Sequence, residues 1–445
     1  MDRNPEKEEQ KTSSTNPEEE SPIKEKYRID TAGTLFSTVS SPKIPCVYRF
    51  WATMKDLVKA NDLQQALDNI MPRFPFYQVK LSRGFFWYKW KTTTDKPEVI
   101  REPEYPCQHI PIRSTTVFPY RIIASYNKII IEFNHSLTDG FGGLTFLKAL
   151  IAEYLRIQGH VIHDWGDVFR ADQKPSPEEF EYSYRKNFKI GIPKVGKIYP
   201  AFHLPFDRVK PGVSHVINGK MNVNDVLKLA KEWKVTLTEF LTAVYIDVLQ
   251  EILHNLPRRQ YRRLKRPIRI MVPINARNII PSKTMRNFTT FISPGIDPRQ
   301  GKFTFEEIIE LVHHYKNLHL TEKSIIQQIS NFVAIAANPG LAAVPYFLKL
   351  LFIKPVYRQS AESLFSAFLT NMGKTSIPVE LSEEVLDIQL LPMTHLYFKS
   401  SCAVLTYFDD LNINFVRNVK EKKVEDLFFN RLKEFGIDVN VSEIL

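Results

Sequence analysis

The sequence is poor in cysteine. Its 445 residues include only Cys46, Cys107 and Cys402, which are far apart and form no Cys-x-x-Cys pair. This spacing argues against a disulfide framework and a zinc ribbon, and it fits the reducing cytoplasm, where we expect the protein to reside. Cys46 and Cys107 are expected to be small buried residues rather than nucleophiles.

Long apolar runs are also missing. No run reaches the roughly 18 residues that a membrane-spanning helix needs. Residues 1–26 are charged and lack the apolar core of a secretory signal, so we expect a disordered charged tail, with a docking tail as the alternative. The segment AVPYFLKLLFIKPVY is expected to be a core helix, with a peripheral membrane contact or a lipid-sized acceptor channel as alternatives.

Several motifs that indicate other chemistry are absent or incomplete. No G-x-S-x-G occurs, so a serine hydrolase elbow has no support. The glycines near residues 140 and 373 complete neither a Rossmann fingerprint nor a P-loop. His314 and His319 are poorly spaced for one helix face, so no metal site is expected from them and His313. No recognisable nucleic-acid-binding motif occurs, so no nucleic-acid partner is expected.

Apolar material, in contrast, is plentiful. Hydrophobic residues make up 43% of the chain and aromatic residues 12%, and a chain of 445 residues is expected to divide into two lobes. Helical and strand patterns recur in both halves, so the predicted class is α/β or α+β. Residues 164–212 contain many prolines and glycines without a clear period. We interpret them as the crossover between lobes at 27–195 and 196–445.

Hydrophobic spacing predicts the individual elements. Strand patterns cover residues 27–41, 85–93, 119–134 (as a hairpin), 267–277 and 401–418. Helical patterns cover residues 62–70, 142–159, 221–253 (as two helices), 303–320 and 424–437. Asn61 or Asp62 is expected to cap the first of these helices, and Thr236 or Thr238 the second helix of 221–253.

The segment IIIEFNHSLTDGFGG, residues 129–143, carries the clearest chemical pattern. A buried strand leads into His135, then Asp139 and Gly140 follow and a helix begins. A neutral imidazole can accept a proton near pH 7, so His135 is the candidate general base. Asp139 can hold the loop through hydrogen bonds or an arginine, and Gly140 suits a sharp turn. An ordinary His and Asp beside a turn would give the same pattern.

His-x-x-x-Asp-Gly after a buried strand resembles the signature of chloramphenicol-acetyltransferase-like acyltransferases, which include condensation domains and alcohol acetyltransferases. Four other segments resemble this superfamily: DLQQALDNIMPRFPFYQVKL, VTLTEFLTAVYIDVL, IRIMVPINAR with MRNF, and LTNMGK. The resemblance covers most of the chain after the tail and is closest to the alcohol acetyltransferases, although Thr370 replaces their serine. Asn134 replaces a first histidine found in many members, and the DFGWG motif of the plant branch is absent.

The resemblance implies two chloramphenicol-acetyltransferase-like lobes, each a mixed sheet packed by helices, with a tunnel between them that leads to His135. It also implies that Asp139 is structural and pairs with an arginine of the second lobe, for which Arg277 is the candidate. The implied co-substrate is acyl-CoA, without a bound cofactor, and the acceptor is a small or lipid-like alcohol or an amine. Asn287 and Thr289 are candidates for stabilising the oxyanion.

The chain is basic, with a net charge of +11 and a pI of about 9.2. Its densest basic cluster is PRRQYRRLKRP, residues 257–267. Arg258, Arg259, Arg262 and Arg263 are candidates for binding the phosphates of coenzyme A. The alternatives are a contact with an acidic carrier protein and a solvated loop ahead of a strand.

The leading hypothesis is therefore a cytoplasmic acyl-CoA-dependent O-acyltransferase of the alcohol acetyltransferase type. A carrier-protein-dependent, condensation-like transferase is the second hypothesis, although no attached carrier domain is recognised. A non-catalytic binding protein that kept the fold is the third. The intact set of His135, Asp139 and Gly140 disfavours it, because such a protein would tolerate loss of the histidine.

Overall fold

The computed structural model describes residues 25–196, 198–338, 340, 343–346, 348–349, 362–395 and 398–444. Two large mixed sheets with their helices form two lobes, which confirms the predicted α/β class. Most of the predicted tail and most of the AVPYFLKLLFIKPVY segment lie outside the described residues.

The first sheet delivers the chain to His135. Its five strands are, in spatial order, β13 (Val385–Leu391), β2 (Val47–Met54), β7 (Lys128–Asn134), β6 (Tyr120–Ser125) and β5 (Val99–Arg101). Only β5 and β6 are parallel neighbours. The hairpin predicted in residues 119–134 is confirmed as β6 and β7. β13 comes from late in the chain, so both halves of the sequence contribute to this sheet.

Two helices pack together beside this sheet. α2 (Ala60–Ile70) buries the four apolar residues that its spacing predicted. α3 (Gly140–Ile157) follows the His135 loop directly and buries most of its length, and it contacts α2, β2 and β7. The start of α3 is therefore held firmly by the first lobe.

The predicted cap of α2 is wrong. The helix begins at Ala60, before Asn61 and Asp62, and its N-cap position is Lys59. The Lys59 backbone N–H donates to the Tyr154 hydroxyl at 3.1 Å. A tertiary contact with α3 thus replaces the local side-chain cap.

The strand predicted over residues 27–41 is also wrong for most of its length, because α1 (Thr31–Val39) is a helix. Asp30 caps α1 by accepting a hydrogen bond from Gly33 N at 2.7 Å. The Thr34 and Thr38 hydroxyls donate to carbonyls one turn earlier, which satisfies them inside the helix. A three-stranded sheet lies beside it, made of β1 (Lys26–Arg28), β4 (Lys89–Thr92) and β3 (Val79–Ser82).

The second sheet has eight strands among the described residues. Seven of them are, in spatial order, β10 (Thr289–Ile292), β9 (Ile268–Asn275), β12 (Ala367–Thr375), β14 (Ser400–Tyr407), β15 (Asp410–Arg417), β8 (His215–Asn222) and β16 (Asn440–Glu443). The eighth, β11 (Gly295–Ile296), pairs with β9. β12 runs parallel to both of its neighbours, and the other pairs are antiparallel.

The second lobe also holds most of the remaining helices. They are α4 (Ser183–Lys186) in the crossover, then α5 (Val223–Glu232), α6 (Leu237–His254), α7 (Arg258–Leu264), α8 (Phe305–His319), α9 (Glu322–Ala336) and α10 (Lys423–Glu434). Thr236 and Glu239 form the predicted capping box of α6. The basic cluster at residues 257–267, for which a solvated loop was one expectation, is mainly the helix α7. Within the described ranges, no helix has the length and apolar character needed to cross a membrane.

β12 and β14 show how the lobes meet. Leu369 packs in the core beneath α6, whereas Met372, Ala403 and Leu405 pack with the core of the first lobe. This division follows the alternation of side chains along a strand. Buried amides of the second sheet also bond to β13, including Asn412 Nδ2, which donates to Asp387 Oδ1 at 2.9 Å. The lobes are therefore joined by both apolar and polar contacts.

Candidate active site

The loop from His135 to Asp139 connects β7 to α3. The His135 backbone N–H donates to Cys46 O at 2.7 Å. The Asn134 side chain accepts hydrogen bonds from the Ser136 backbone N–H at 3.1 Å and from its hydroxyl at 2.6 Å. Asn134 also donates to Pro45 O at 3.3 Å. The residue that replaces the first histidine therefore fixes the shape of the loop.

Asn287 sets the tautomer of His135. Asn287 Nδ2 lies 3.1 Å from His135 O and 3.4 Å from Asp30 Oδ2, and these two acceptors identify it as the amide nitrogen. Asn287 Oδ1 then lies 3.0 Å from His135 Nδ1. An amide oxygen can only accept, so Nδ1 carries the ring hydrogen and Nε2 presents a lone pair.

His135 Nε2 is the accessible nitrogen of the ring. Among the described residues, Asn287 is the side chain that hydrogen-bonds the imidazole, and it does so at Nδ1. The ring is half-buried, and Nε2 is not one of the buried polar atoms that lack a partner. A substrate proton can therefore reach Nε2, which is the geometric requirement for a general base.

Aromatic rings hold the imidazole in place. Phe36 of α1 stacks on it with 4.4 Å between ring centroids, and Tyr48 of β2 meets it nearly edge-on at 5.1 Å. Burial lowers the pKa of His135 below its ordinary value, and the Asp139 carboxylate opposes part of that shift. The neutral imidazole, which can accept a proton, is thus favoured at neutral pH.

Asp139 is completely buried and links the two lobes at the site. Its Oδ2 accepts hydrogen bonds from Arg277 Nη1 and from Phe288 N, both at 2.8 Å. Its Oδ1 accepts from Gly142 N at 3.3 Å and so caps α3. The pair of Asp139 with Arg277 that the family resemblance implied is therefore present in the structure.

Gly140 and Gly142 lie where a side chain would not fit. A Cβ added to Gly140 would lie 2.9 Å from Met372 Sδ of β12. One added to Gly142 would lie 2.6 Å from Met285 O, which also belongs to the second lobe. Gly140 has no positive φ, so close approach of the second lobe, rather than a sharp turn, is what favours glycine here.

The two oxyanion candidates occupy different positions. Asn287 touches His135, but its amide nitrogen is directed at His135 O and Asp30, so its contacts orient the imidazole. Thr289 begins β10, and its backbone N–H donates to the Tyr184 hydroxyl at 3.0 Å. Thr370 is half-buried on β12, two residues from Met372 and on the same face. Its hydroxyl, at the position where Thr370 replaces the serine of the resembling stretch, is a further candidate donor.

The basic cluster lies away from His135. Arg258, Arg259, Arg262 and Arg263 are all exposed on α7, which precedes β9. The other end of β9, at Asn275, is the end that approaches the site. Seven strand steps of about 3.3 Å separate the two ends, or about 23 Å. The cluster therefore does not contact the reacting atoms.

Residues without an expected chemical role have structural surroundings. His313 Nδ1 lies 2.9 Å from Glu239 Oε1, and His314 is exposed. The part of the chain that the structure describes contains no group of three or more His, Cys, Asp or Glu residues placed to hold a metal ion. All three cysteines are buried, as predicted for Cys46 and Cys107, and burial raises the pKa of each thiol.

Asp30 belongs to the site although the sequence did not identify it. It is completely buried, bonds to Asn287, and lies 3.8 Å from Arg286 Nε. Burial raises the pKa of Asp30, and the Arg286 charge partly opposes that shift. An Asp three residues before Gly33 is a helix-cap signal, but it can be recognised only once α1 is predicted as a helix.

No family model matches the sequence, and no curated protein matches it. Solved structures do match it along nearly the whole chain. Polyketide synthase associated protein 5 from Mycobacterium tuberculosis has a TM-score of 0.59 at 14% identity, with 91% of this chain and 96% of that chain covered.

Two further structures contain bound ligands. The starter condensation domain of rhizomide synthetase, in complex with C8-CoA and Leu-SNAC, has a TM-score of 0.57 at 10% identity, covering 92% of this chain and 93% of that one. TRI101 of F. graminearum, complexed with coenzyme A and T-2 mycotoxin, has a TM-score of 0.56 at 11% identity, covering 92% and 97%. At these identities the likeness concerns the fold. The chain therefore has the two-lobe fold of CoA-dependent acyltransferases and condensation domains.

Proposed function

We propose that this protein is an acyltransferase that moves an acyl group from acyl-CoA to an alcohol, or to an amine, with His135 as the general base. The observation that carries the proposal is the 3.0 Å contact between His135 Nδ1 and Asn287 Oδ1. It places the ring hydrogen on Nδ1 and leaves the lone pair on the accessible Nε2. The lowered pKa of His135 keeps this lone pair free of a proton at neutral pH.

The reaction needs one proton acceptor. Nε2 takes the proton of the acceptor hydroxyl as its oxygen attacks the thioester carbonyl carbon, which forms a tetrahedral oxyanion. When the carbonyl re-forms, the carbon–sulfur bond breaks and the leaving thiolate takes the proton back from Nε2. A thiol of pKa about 8.5 leaves with little help from an acid, so a single base suffices.

Neighbouring groups support the charges that develop. Asp139 favours the imidazolium that forms after proton transfer, because its carboxylate already opposes the lowering of the His135 pKa. Asn287 Oδ1 accepts the Nδ1 hydrogen in both charge states of the ring. For the oxyanion, Thr370 and Thr289 are the candidate donors, and loss of such a donor commonly costs about a hundredfold in kcat.

The acceptor and the phosphate end of the donor require different surroundings in the protein. Phe36 and Met372 give the site apolar walls, which suit the body of a small or lipid-like alcohol. The arginines of α7 are exposed and form no ion pair among the described residues, which suits the phosphates of coenzyme A or an acidic carrier protein. Contact of residues 343–357 with a membrane surface stays a prediction.

The test is release of free thiol from acetyl-CoA and longer acyl-CoAs with a panel of alcohols and amines. His135→Ala should lose at least about a hundredfold in acceptor-dependent release, because the base is removed. His314→Ala, which changes an exposed histidine of α8, should keep wild-type activity. Equal melting temperatures would show that both variants fold.

Three results would count against the proposal. Activity of His135→Ala within a few fold of wild type would remove His135 from the role of base. Wild type that releases thiol from no acyl-CoA, yet accepts an acyl group from a carrier-bound thioester, would replace the proposed donor with a carrier protein. Inactivity with both donors would favour a binding protein that kept the fold.

A further inference from the structure

One face of the small three-stranded sheet is basic. Side chains alternate across a strand, so β1, β4 and β3 each place two residues on the outward face. The inward residues, which include Tyr27 and Trp90, are buried in the core of the first lobe. Of the six outward residues, one is Ser82 and the other five are cationic: Lys26, Arg28, Lys80, Lys89 and Lys91.

The strand register places these cations directly opposite one another. Lys91 of the central strand is opposite Lys26 on one side and Lys80 on the other, and Lys89 is opposite Arg28. Like charges in directly opposite positions destabilise a sheet. The arrangement is therefore unfavourable for the protein alone, and an anionic partner would relieve the repulsion.

Carboxylates neutralise only part of this face. Glu25 lies 3.8 Å from Lys26, and Asp95 pairs with Lys80. Within the described ranges, the other three cations of the face form no ion pair: Arg28, Lys89 and Lys91. Their charges can therefore attract an anionic surface.

The hairpin between β3 and β4 ends in exposed aromatic rings. The last paired residues of the hairpin are Ser82 and Lys89, so the turn between them extends beyond the sheet. In this turn, Phe85 is 70% exposed and Phe86 is 44% exposed, and their ring centroids are 4.8 Å apart. Arg83 of the same turn is exposed as well. An exposed apolar patch with charged residues at its rim is typical of an interaction site.

A second segment holds this aromatic tip. The Tyr346 backbone N–H donates to Phe85 O at 3.0 Å, and Lys349 Nζ donates to Phe86 O at 2.9 Å. Leu348, in the same segment, is 38% exposed. The backbone of the tip is thus fixed, while the rings of Phe85 and Phe86 stay exposed.

Cations on a sheet face and rings at its tip together fit an anionic lipid bilayer. Aromatic side chains are favoured at the boundary between headgroups and acyl chains, and each Lys or Arg near an anionic membrane strengthens binding about fivefold. A single-stranded nucleic acid would instead need rings between the cations, on which its bases could stack. The aromatic residues of this sheet, Tyr27 and Trp90, are buried in the core.

We propose that the basic face of this sheet and the rings of Phe85 and Phe86 form a docking surface for bilayers that contain anionic phospholipids. The cations contact the headgroups, and the two rings enter the boundary with the acyl chains. The inference does not depend on the proposed function, because docking involves no acyl transfer.

Sedimentation of the full-length protein with lipid vesicles tests the basic face. Wild type should bind vesicles of phosphatidylcholine with about 30% phosphatidylserine, and bind pure phosphatidylcholine vesicles at least about tenfold more weakly. The combined variant Arg83→Gln, Lys89→Gln and Lys91→Gln should bind the anionic vesicles about a hundredfold more weakly, because each cation contributes about fivefold.

A charge-matched variant serves as the control for this loss. It removes three exposed lysines in and directly after α5: Lys228→Gln, Lys231→Gln and Lys234→Gln. This control should bind the anionic vesicles as wild type does. The variant of the basic face should melt at or above the wild-type temperature, because it relieves repulsion between opposite cations.

Separate variants test the aromatic tip without changing the charge. The double variant Phe85→Ser and Phe86→Ser should bind the anionic vesicles at least about tenfold more weakly, because apolar burial is lost. Leu318→Ser, which changes a 70% exposed residue of α8, is the control. Phe85→Trp should add tryptophan emission that lipids brominated in their acyl chains quench, whereas the emission that Leu318→Trp adds should not be quenched.

Four results would overturn the proposal. Folded wild type that binds no anionic vesicles would do so, including when the acidic residues that precede Lys26, such as Glu18, Glu19 and Glu20, cover the face. Equal losses in the two lysine-to-glutamine variants would assign binding to net charge. Unchanged binding by the double phenylalanine variant would exclude the tip. A basic-face variant that binds vesicles normally but loses binding to a single-stranded oligonucleotide would assign the face to nucleic acid.

Discussion

Asp139 and Glu425 are both carboxylates in the core, yet their surroundings differ. Asp139 accepts hydrogen bonds from Arg277, Phe288 N and Gly142 N. Glu425 is 1% exposed, accepts a side-chain hydrogen bond from Ser400 Oγ at 3.2 Å, and leaves Oε2 without a partner in the described chain. Burial raises the pKa of Glu425 to about 7. The number of fixed donors, rather than burial, is what distinguishes the two sites.

This difference in hydrogen-bond donors predicts opposite effects of the two carboxylate charges on the stability of the fold. The donors around Asp139 come from α3 and from the second lobe, so its charge joins the two lobes at the site. Glu425 lies at the start of α10, where burial raises its pKa and the Arg417 charge opposes only part of that rise. A charged Asp139 should therefore stabilise the fold, whereas a charged Glu425 should destabilise it.

The largest expected effect is that of Asp139→Ala. This change leaves the buried Arg277 without its carboxylate, and removal of one partner of a buried pair costs about 3–5 kcal/mol. Urea unfolding measures the loss. Asp172→Ala is the matched control, because the Arg170–Asp172 pair is exposed and solvent screening leaves it little net effect on stability. Equal losses in the two variants would contradict the contrast between buried and exposed pairs.

Glu425→Gln should act in the opposite direction. Its folded-state pKa of about 7 exceeds the ordinary value of 4.5, so the folded state holds a proton that the unfolded state loses as the pH rises from 4.5 to 7. Wild-type stability should fall across that window by up to about 3 kcal/mol and stay lower above it. Glu425→Gln should therefore be the more stable protein at pH 8 and show little difference at pH 4.5.

Urea unfolding of wild type and Glu425→Gln at both pH values measures this effect. The acidic control is Glu443→Gln, an exposed residue of β16 paired with Lys422. Glu443→Gln should not increase the free energy of unfolding at pH 8 as Glu425→Gln does. A gain that is independent of pH in Glu425→Gln would contradict the raised pKa as its cause.

Secondary structure could be predicted most accurately where the local residue pattern determines it. The hairpin of β6 and β7 and the spacing of α2 follow from periodicity alone. α1 was predicted as a strand, because its many threonines favour strands and the Asp30 cap outweighs them only in the folded helix. The addition of β13 to the first sheet depends on pairing between residues more than 300 positions apart, for which no local signal exists.

The same division applies to the candidate site. His135, Asp139 and Gly140 lie within one motif and could be identified, and Arg277 followed from the family resemblance. Asp30 belongs to no motif, and it approaches the site only through tertiary contacts. Asn287 was identified as an oxyanion candidate, but its contacts with His135 on both ring and backbone are visible only in the structure.

A smaller effect is expected at Asn287. Asn287→Ala removes the acceptor for the Nδ1 hydrogen, so the ring can adopt the other tautomer or rotate. We expect kcat/KM to fall about tenfold, equivalent to about 1.4 kcal/mol, a typical energy for one hydrogen bond. Tyr184 accepts the backbone N–H of Thr289, a bond that Thr289→Ala retains. If kcat/KM falls more in Thr289→Ala than in Asn287→Ala, Thr289 contributes more to catalysis than Asn287 does.

The most direct measurement for the central claim is the pH dependence of kcat/KM for acyl transfer by wild type. If His135 is a neutral base with a lowered pKa, activity should fall tenfold per pH unit on the acid side, with an apparent pKa below the ordinary histidine value of 6.5. The residual activity of His135→Ala should lack this step. An apparent pKa at or above 6.5, or the same acid limb in His135→Ala, would contradict the assignment of His135 as the base.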